Sequence, residues 1–242
     1  MEKLSSKVRH SKNRGGKKLR YKYSDDEIKE ILKRIVVLVD TREQTNDHIL
    51  KWFDSKGIKY KRTKVDYGDY SCYLPVGSFK GQARDIYFDR DVVVERKFCI
   101  DELAMNLKDN KTNINEIKKE IIDLLGEKYL QKVLKCDYNR FKHELTTLNK
   151  YDIDFNILVE DVNFDYNLRV HNYMSQYDPE RLMQRLKGIE AEFRTTIRPT
   201  HKGSMGSEIY NTLKYGVRHI LKNKGFIEEE GEVNVEGEEA AV

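Results

Sequence analysis

Cysteine and long apolar segments are both scarce in this chain of 242 residues. The three cysteines, Cys72, Cys99 and Cys136, are too few and too scattered for a disulfide framework, and no CxxC pair offers a zinc site. The longest apolar run is 35-IVVLV-39, far shorter than the roughly 20 residues that a membrane-spanning helix needs. No apolar signal segment follows the N-terminus. These absences predict a cytoplasmic protein that is not bound to a membrane.

Charge is unevenly distributed between the two ends of the chain. The first 22 residues contain nine Lys or Arg and a single acid, whereas residues 228–242 contain seven Glu and no base. We interpret residues 1–23 as a disordered basic arm, which either binds phosphates or only solubilises the protein, and residues 227–242 as a disordered acidic tail. The formal net charge of +4 does not by itself identify a nucleic-acid partner.

Strand and helix signals alternate between these tails, which is typical of an α/β protein. Apolar and alternating runs bounded by Gly and Pro predict strands, and three- or four-residue apolar spacing predicts helices. The predicted strands are 35–40, 58–65, 69–75, 86–97, 154–161 and 194–199, and the predicted helices are about 46–56, 100–148 with a break, 178–193 and 204–224. The pattern predicts a single domain whose mixed, partly parallel sheet is flanked by helices.

Four acids occur where apolar strand segments end or turn, namely Asp40, Glu43, Asp69 and Glu95. Carboxylates at strand ends of an α/β sheet converge at the crevice where ligands usually bind. Buried together, they would repel one another and raise their pKa values. A divalent cation removes that repulsion, and oxygen ligands of this kind suit Mg²⁺ or Mn²⁺. The acids therefore predict a metal site at one edge of the sheet.

Glu95 and Lys97 are two residues apart on a predicted strand, so they share a face while Arg96 points away. With Asp69 on the neighbouring strand, they form the pattern D…E-x-K. In nucleases of this kind, the metal lowers the pKa of a water, and the lysine orients it and stabilises transition-state charge. An isolated E-x-K triplet is more often an ordinary solvated strand end.

The triplet is not isolated, because 39-VDTREQ-44, 68-GDY-70 and 94-VERKFCID-101 occur in order, each after a predicted strand. Together they resemble the XPF/Hef family of structure-specific endonucleases, whose pattern is D-x-R-E, then GD, then ERK-x-x-x-D. The resemblance covers about residues 34–226. It implies a restriction-endonuclease-like fold, Mg²⁺ or Mn²⁺ as cofactor, and cleavage of branched or flap DNA.

The resemblance also implies roles for individual acids and for the lysine. Asp69 and Glu95 match the principal metal ligands, and Lys97 matches the catalytic lysine. Asp40 and Glu43 match accessory acids that complete a metal site or hold a second ion. No small-molecule cofactor is implied.

The arginines and the last acid of the pattern have other implied roles. Arg42 and Arg96 match the family's arginines, as orienting groups or phosphate contacts. Asp101 closes the signature at the start of the following helix, where a carboxylate caps amides or accepts from a basic side chain. Arg140, in 139-NRFKHELTTL-148, belongs to a segment similar to the family's R-F-x-x-E-L and is a substrate-binding candidate. Outside these motifs, Lys202 and its neighbour His201 are candidates for a phosphate contact.

The chain departs from the family pattern in two respects. Arg140 follows the ERK triplet by more than forty residues, so that residues 107–136 are either an inserted helical element that selects substrate or partner, or a longer surface helix. After Gly225 only the acidic tail follows, without the tandem helix-hairpin-helix motifs that usually hold branched DNA and dimerise. This favours a phage or bacterial relative, in which a homodimer would have to use the nuclease domain itself.

The resulting prediction is a metal-dependent DNA endonuclease that acts at branched, flap or fork structures in recombination, replication or repair. One alternative is a noncatalytic DNA-binding or scaffolding subunit with the same fold. Another is a nickase or general duplex cutter without structure specificity.

Overall fold

The computed structural model describes residues 22–107 and 137–229. The prediction of an inserted element at 107–136 falls outside these residues except for Leu107. Most of the predicted basic arm and acidic tail, residues 1–21 and 230–242, also lies outside them.

The elements of the described residues alternate along the chain much as the sequence predicts. The strands are β1 (Lys22–Tyr23), β2 (Val36–Asp40), β3 (Tyr60–Thr63), β4 (Tyr70–Leu74), β5 (Ile86–Tyr87), β6 (Val92–Lys97), β7 (Asp154–Val159), β8 (Thr196–Pro199) and β9 (Glu228–Glu229). The helices are α1 (Asp25–Leu32), α2 (Asp47–Ser55), α3 (Ile100–Leu107), α4 (Asp137–Lys150), α5 (Phe164–Arg169), α6 (Pro179–Phe193) and α7 (Met205–Asn223). A 3-10 turn, Lys202–Ser204, precedes α7.

The main sheet has the order β3-β2-β4-β6-β7-β8, and β5 pairs with β4 outside this path. The pairs β2–β3, β6–β7 and β7–β8 are parallel, whereas β4 is antiparallel to β2, β5 and β6. The predicted mixed sheet is confirmed. The apolar residues of β2 and the valines of β6 are buried because helices cover both faces of the sheet.

Two apolar clusters hold the helices on the sheet, one on each face. On the first face, α1, α2 and α7 pack on β2, β4 and β6 through residues such as Phe53 and Leu213. On the second face, α3, α4, α5 and α6 pack on β6 and β7 through residues such as Leu103 and Leu145. The prediction of helices flanking the sheet is likewise confirmed. None of the described helices is long and apolar enough to cross a bilayer.

Helix α1 is an element that the sequence interpretation missed. Ser24 caps it in a capping box, since its side chain accepts from the Glu27 N–H while Glu27 accepts from the Ser24 N–H. Just before it, Lys22–Tyr23 pairs in parallel with Glu228–Glu229. This short sheet therefore joins the inner ends of the two predicted tails.

Candidate active site

Glu95 and Lys97 lie side by side on one face of β6. Nζ of Lys97 donates to Oε1 of Glu95 at 2.6 Å and lies 5.8 Å from the centroid of the Phe141 ring. The lysine is buried, and burial alone would lower its pKa. The charge of Glu95, its hydrogen bond to Lys97 and the charges of Glu102 and Asp69 together outweigh this effect, so the pKa of Lys97 is raised. The site therefore holds an ammonium group directly beside a carboxylate.

Asp69 reaches the end of β6 because the backbone of Gly68 and Asp69 approaches that strand closely. The Asp69 N–H donates to the Val94 carbonyl at 2.9 Å, and Oδ2 of Asp69 accepts from the Arg96 N–H at 2.8 Å. Gly68 has a φ of +64°, and a Cβ there would lie 3.0 Å from the Val94 oxygen. A side chain at this position would thus be strained and crowded. The glycine of the GD pair allows the aspartate to sit beside β6.

Asp69 is a partly buried carboxylate among other negative charges. Burial raises its pKa well above the usual value, and repulsion from Glu95 and then from Glu43 raises it further. The Arg96 N–H and the charge of Lys97 act in the opposite direction. The net effect is a carboxyl group that holds its proton more tightly than usual, because negative charges lie around it.

The structure fits a metal held by few protein ligands. Within residues 22–107 and 137–229, no group of three or more His, Cys, Asp or Glu is arranged to hold an ion. Asp69 and Glu95 remain suitable, because Mg²⁺ usually takes one or two carboxylates and completes its shell with waters and substrate phosphate. The four-carboxylate set considered from the sequence is not assembled among these residues.

Asp40 lies at the end of β2, and each of its carboxylate oxygens accepts two hydrogen bonds. Its Oδ1 accepts from the N–H and Nε of Arg42 at 2.7 and 2.8 Å, and its Oδ2 accepts from Nη2 of Arg42 and the Val65 N–H at 2.9 and 2.8 Å. Burial would raise its pKa, but these hydrogen bonds hold the pKa of Asp40 at about 2. The structure thus shows Asp40 fastening two loops and Arg42 orienting it.

Glu43 and Arg96 form a second polar group on the opposite face of β6. Nη2 of Arg96 donates to Oε1 of Glu43 at 2.7 Å and to the Thr45 hydroxyl at 3.0 Å. Nη1 lies 3.3 Å from Oε1 of Glu160, which also contacts Nε2 of His48 at 2.6 Å. Arg96 is buried and faces away from Lys97, and its side chain contacts two acids, Glu43 and Glu160.

Glu144 is a carboxylate of the site to which the sequence interpretation assigned no role. It lies on the same face of α4 as the buried Phe141 and Leu145, and its Oε1 accepts from the Gly68 N–H at 3.5 Å. Burial and then repulsion from Glu95 raise its pKa. The available signal was the glutamate of the R-F-x-x-E-L segment, which lies far from the other motifs in sequence.

Arg140 and Asp101 lie on the helices next to this site. Arg140 is exposed, and its charge lowers the pKa of Glu144, which places it near the carboxylates. Oδ1 of Asp101 accepts from the Ser175 N–H at 2.7 Å, so it ties α3 to the loop before α6. Glu102, not Asp101, accepts from an amide at the start of α3, the N–H of Phe98 at 2.7 Å.

Comparison with known proteins identifies the family. Residues 39–211 match the family model of the ERCC4 domain. No curated protein sequence matches the chain. Among solved structures, the chain is similar to XPF from Aeropyrum pernix, with a TM-score of 0.44 and 13% identity over 86% of this chain and 68% of that one. It is also similar to XPF from Aeropyrum pernix in complex with DNA, with a TM-score of 0.43 and 14% identity over 77% of this chain and 66% of that one. Because the family model matches well over half of the chain, the protein belongs to the ERCC4 domain family.

Proposed function

We propose that the protein is a divalent-metal-dependent DNA endonuclease. The observation that carries this proposal is the grouping of Asp69, Glu95 and Lys97 at one edge of the sheet. Two repelling carboxylates next to a buried ammonium group form a costly arrangement for stability alone. Phosphodiester hydrolysis needs these same groups, since a cation and a fixed positive charge must stabilise the developing negative charge.

Each residue has a distinct task in the proposed reaction. Asp69 and Glu95 would hold Mg²⁺ or Mn²⁺, which when bound supplies a water of lowered pKa and polarises the phosphate. Lys97 stays protonated beside Glu95 and can donate to the attacking water or to a phosphate oxygen. The water oxygen attacks phosphorus and gives up one proton to solvent, the bond to the leaving oxygen breaks, and that oxygen takes up a proton from solvent.

The other charged groups have supporting roles in the proposed reaction. Asp40 and Arg42 fasten the loop after β2, while Arg96 holds Glu43 in place. Glu144 adds negative charge next to Glu95, and we propose that it binds metal-coordinated water. Exposed Arg140 is proposed to contact the DNA backbone.

The proposed substrates are branched, flap or fork DNA structures that arise in recombination, replication or repair. Membership of the ERCC4 domain family supports DNA as the substrate. The ordered D-x-R-E, GD and ERK-x-x-x-D motifs support the branched class through their resemblance to the XPF/Hef endonucleases.

The proposal is tested by incubating labelled flap, fork, Holliday-junction and linear duplex DNA with the wild type and Asp69→Asn in Mg²⁺ or Mn²⁺. The matched control is Asp66→Asn, which removes a half-exposed carboxylate from the same loop, where Asp66 pairs with Arg90. We expect the wild type and the control to cut branched DNA and Asp69→Asn to be inactive.

Other outcomes identify the alternatives. Binding without cleavage in either metal would favour a noncatalytic subunit. Cleavage of linear duplex at the same rate as branched DNA would show that the enzyme has no structure specificity. Single-strand nicks would indicate a nickase. Cleavage by Asp69→Asn at the wild-type rate would reject the assigned site.

A further inference from the structure

Phe98 is an exposed aromatic residue directly after Lys97 in the candidate active site. Phe98 is 52% exposed, whereas the two residues before it, Arg96 and Lys97, are buried. Its N–H donates to Oε2 of Glu102 at 2.7 Å, and Oε1 of Glu102 lies 3.5 Å from Nζ of Lys97. The Glu102 carboxylate therefore holds the backbone of Phe98 and also contacts Lys97.

A lysine from a separate part of the chain lies over this ring. Nζ of Lys202 is 5.7 Å from the centroid of the Phe98 ring, within cation–π range. The turn that carries Lys202 is held by His201, whose Nδ1 accepts from the Gly203 N–H at 3.0 Å. Lys202 is exposed, and no ion pair joins it to a carboxylate of the described residues. A positive charge and an apolar ring surface thus occur together at the residue that follows Lys97.

We propose that Phe98 and Lys202 form a stacking platform for an unpaired base of the DNA strand that enters the active site. An aromatic face binds any base by stacking, and a nearby cation attracts the adjoining phosphate. The bases of an intact duplex are stacked on their neighbours and are not available without unstacking. Flaps and forks supply such bases. The proposal rests on the proposed endonuclease function and specifies which strand feature the site selects.

Placement favours this role over a protein contact. Glu102 contacts both the Phe98 N–H and Nζ of Lys97, so the residue that carries the ring lies next to the candidate active site. Lys202 adds positive charge, which suits a nucleic acid better than it suits a purely apolar partner surface. Packing against a second copy of the chain is the competing outcome in the test.

The test measures binding without hydrolysis, by anisotropy of labelled DNA in buffer that contains EDTA. Phe98→Ala should weaken binding to a flap duplex and to a single strand by about tenfold, while the affinity for blunt duplex changes by less than about twofold. Phe98→Trp should retain the wild-type affinities. Met105→Ala is the matched control, because Met105 on α3 is 58% exposed and apolar but is not assigned to the platform. It should change none of the affinities.

A base analogue reports on stacking directly. We expect 2-aminopurine, placed at the unpaired position next to the branch, to be quenched on binding to the wild type and not to Phe98→Ala. Lys202→Met should weaken binding to the flap duplex and lower the slope of log affinity against log salt by about one. Equal losses on duplex and flap, no loss at all, or a changed sedimentation coefficient of Phe98→Ala would each overturn the platform.

Cleavage assays separate failure of the platform from failure of the proposed function. If the wild type cuts no DNA in either metal, but Phe98→Ala still loses its preference for unpaired DNA, the platform stands and the enzyme assignment falls. If the wild type cuts flaps and Phe98→Ala cuts and binds them equally well, the platform falls and the enzyme assignment stands.

Discussion

The backbone N–H of Arg96 donates to Oδ2 of Asp69 at 2.8 Å, while the side chain of Arg96 pairs with Glu43 at 2.7 Å on the other face of β6. One residue therefore connects the proposed metal ligands with a buried ion-pair group. The strand alternation explains this division, since Glu95 and Lys97 face one side and Arg96 faces the other. The backbone of Arg96 positions Asp69, and its side chain forms the buried ion pairs, so one residue serves both the geometry of the site and the stability of the sheet edge.

Arg96→Met is expected to destabilise the fold by about 3–5 kcal/mol, because it leaves Glu43 and Glu160 buried without their cation. The side chain of Arg96 is 3% exposed. Arg90→Met is the control, since Arg90 is 77% exposed and its ion pair with Asp66 should be worth less than about 1 kcal/mol. Urea unfolding of both variants measures the difference. Equal losses in the two variants would show that the buried ion pairs add nothing.

The sequence was sufficient to predict the parts of the site that depend on local geometry. Period-two alternation places Glu95 and Lys97 on one face, and the close approach of Gly68 to β6 follows the GD motif. Contacts between distant segments were not predictable from one sequence. Glu160 meets Arg96 across the β6–β7 pair, and Glu144 reaches Gly68 from α4, more than seventy residues further along the chain.

The mixed sheet and its flanking helices were predictable because apolar strand runs and helical spacing repeat along the chain. Helix α1 was missed although 24-SDDE-27 has the capping-box pattern and Ile28, Ile31 and Leu32 follow at helical spacing. The roles of the charged residues depend on their partners, and the hydrogen bonds from Arg42 and Val65 to the Asp40 carboxylate come from contacts that one sequence does not reveal.

Lys97→Met should lower the rate of single-turnover cleavage by about 10²–10³-fold, the usual cost of removing one donor that stabilises transition-state charge. DNA binding in EDTA should change little, because Lys97 is buried beside Glu95. Lys29→Met serves as the control, since Lys29 pairs with Asp25 and Asp26 on α1. Quench-flow kinetics on a flap substrate gives the rates. A variant that cuts at the wild-type rate would exclude Lys97 from the chemistry.

Asp40→Asn should destabilise the protein at neutral pH and progressively less in acid. The pKa of Asp40 in the folded state is about 2, below the usual value of 3.8. A depressed carboxyl pKa contributes stability above the unfolded-state value, and that contribution disappears as the pH falls through the folded-state value. The difference between wild type and variant should therefore shrink from about pH 4 to about pH 2. Urea unfolding across this range measures it, and a constant difference would contradict the role of Arg42 and Val65 in holding the ionised carboxylate.

Asp69→Asn should have the opposite effect on stability while it abolishes cleavage. Because burial and repulsion from Glu95 raise the pKa of Asp69, the folded state holds this proton more tightly than the unfolded state does, so this carboxyl group costs stability as the pH rises above the usual value of 3.8. Asparagine removes that cost and can still accept from the Arg96 N–H. Without metal, the variant should therefore unfold at a higher urea concentration than the wild type.

Added Mg²⁺ distinguishes relief of repulsion from a general gain in stability. A ligand that binds only the folded state stabilises it by mass action, so Mg²⁺ should raise the urea midpoint of the wild type and leave that of Asp69→Asn nearly unchanged. Asp66→Asn, with its half-exposed carboxylate in the same loop, should respond to Mg²⁺ as the wild type does. If Mg²⁺ stabilised Asp69→Asn as strongly as the wild type, the ion would bind elsewhere. The carboxylates of Asp69 and Glu95 would then repel each other without serving a metal.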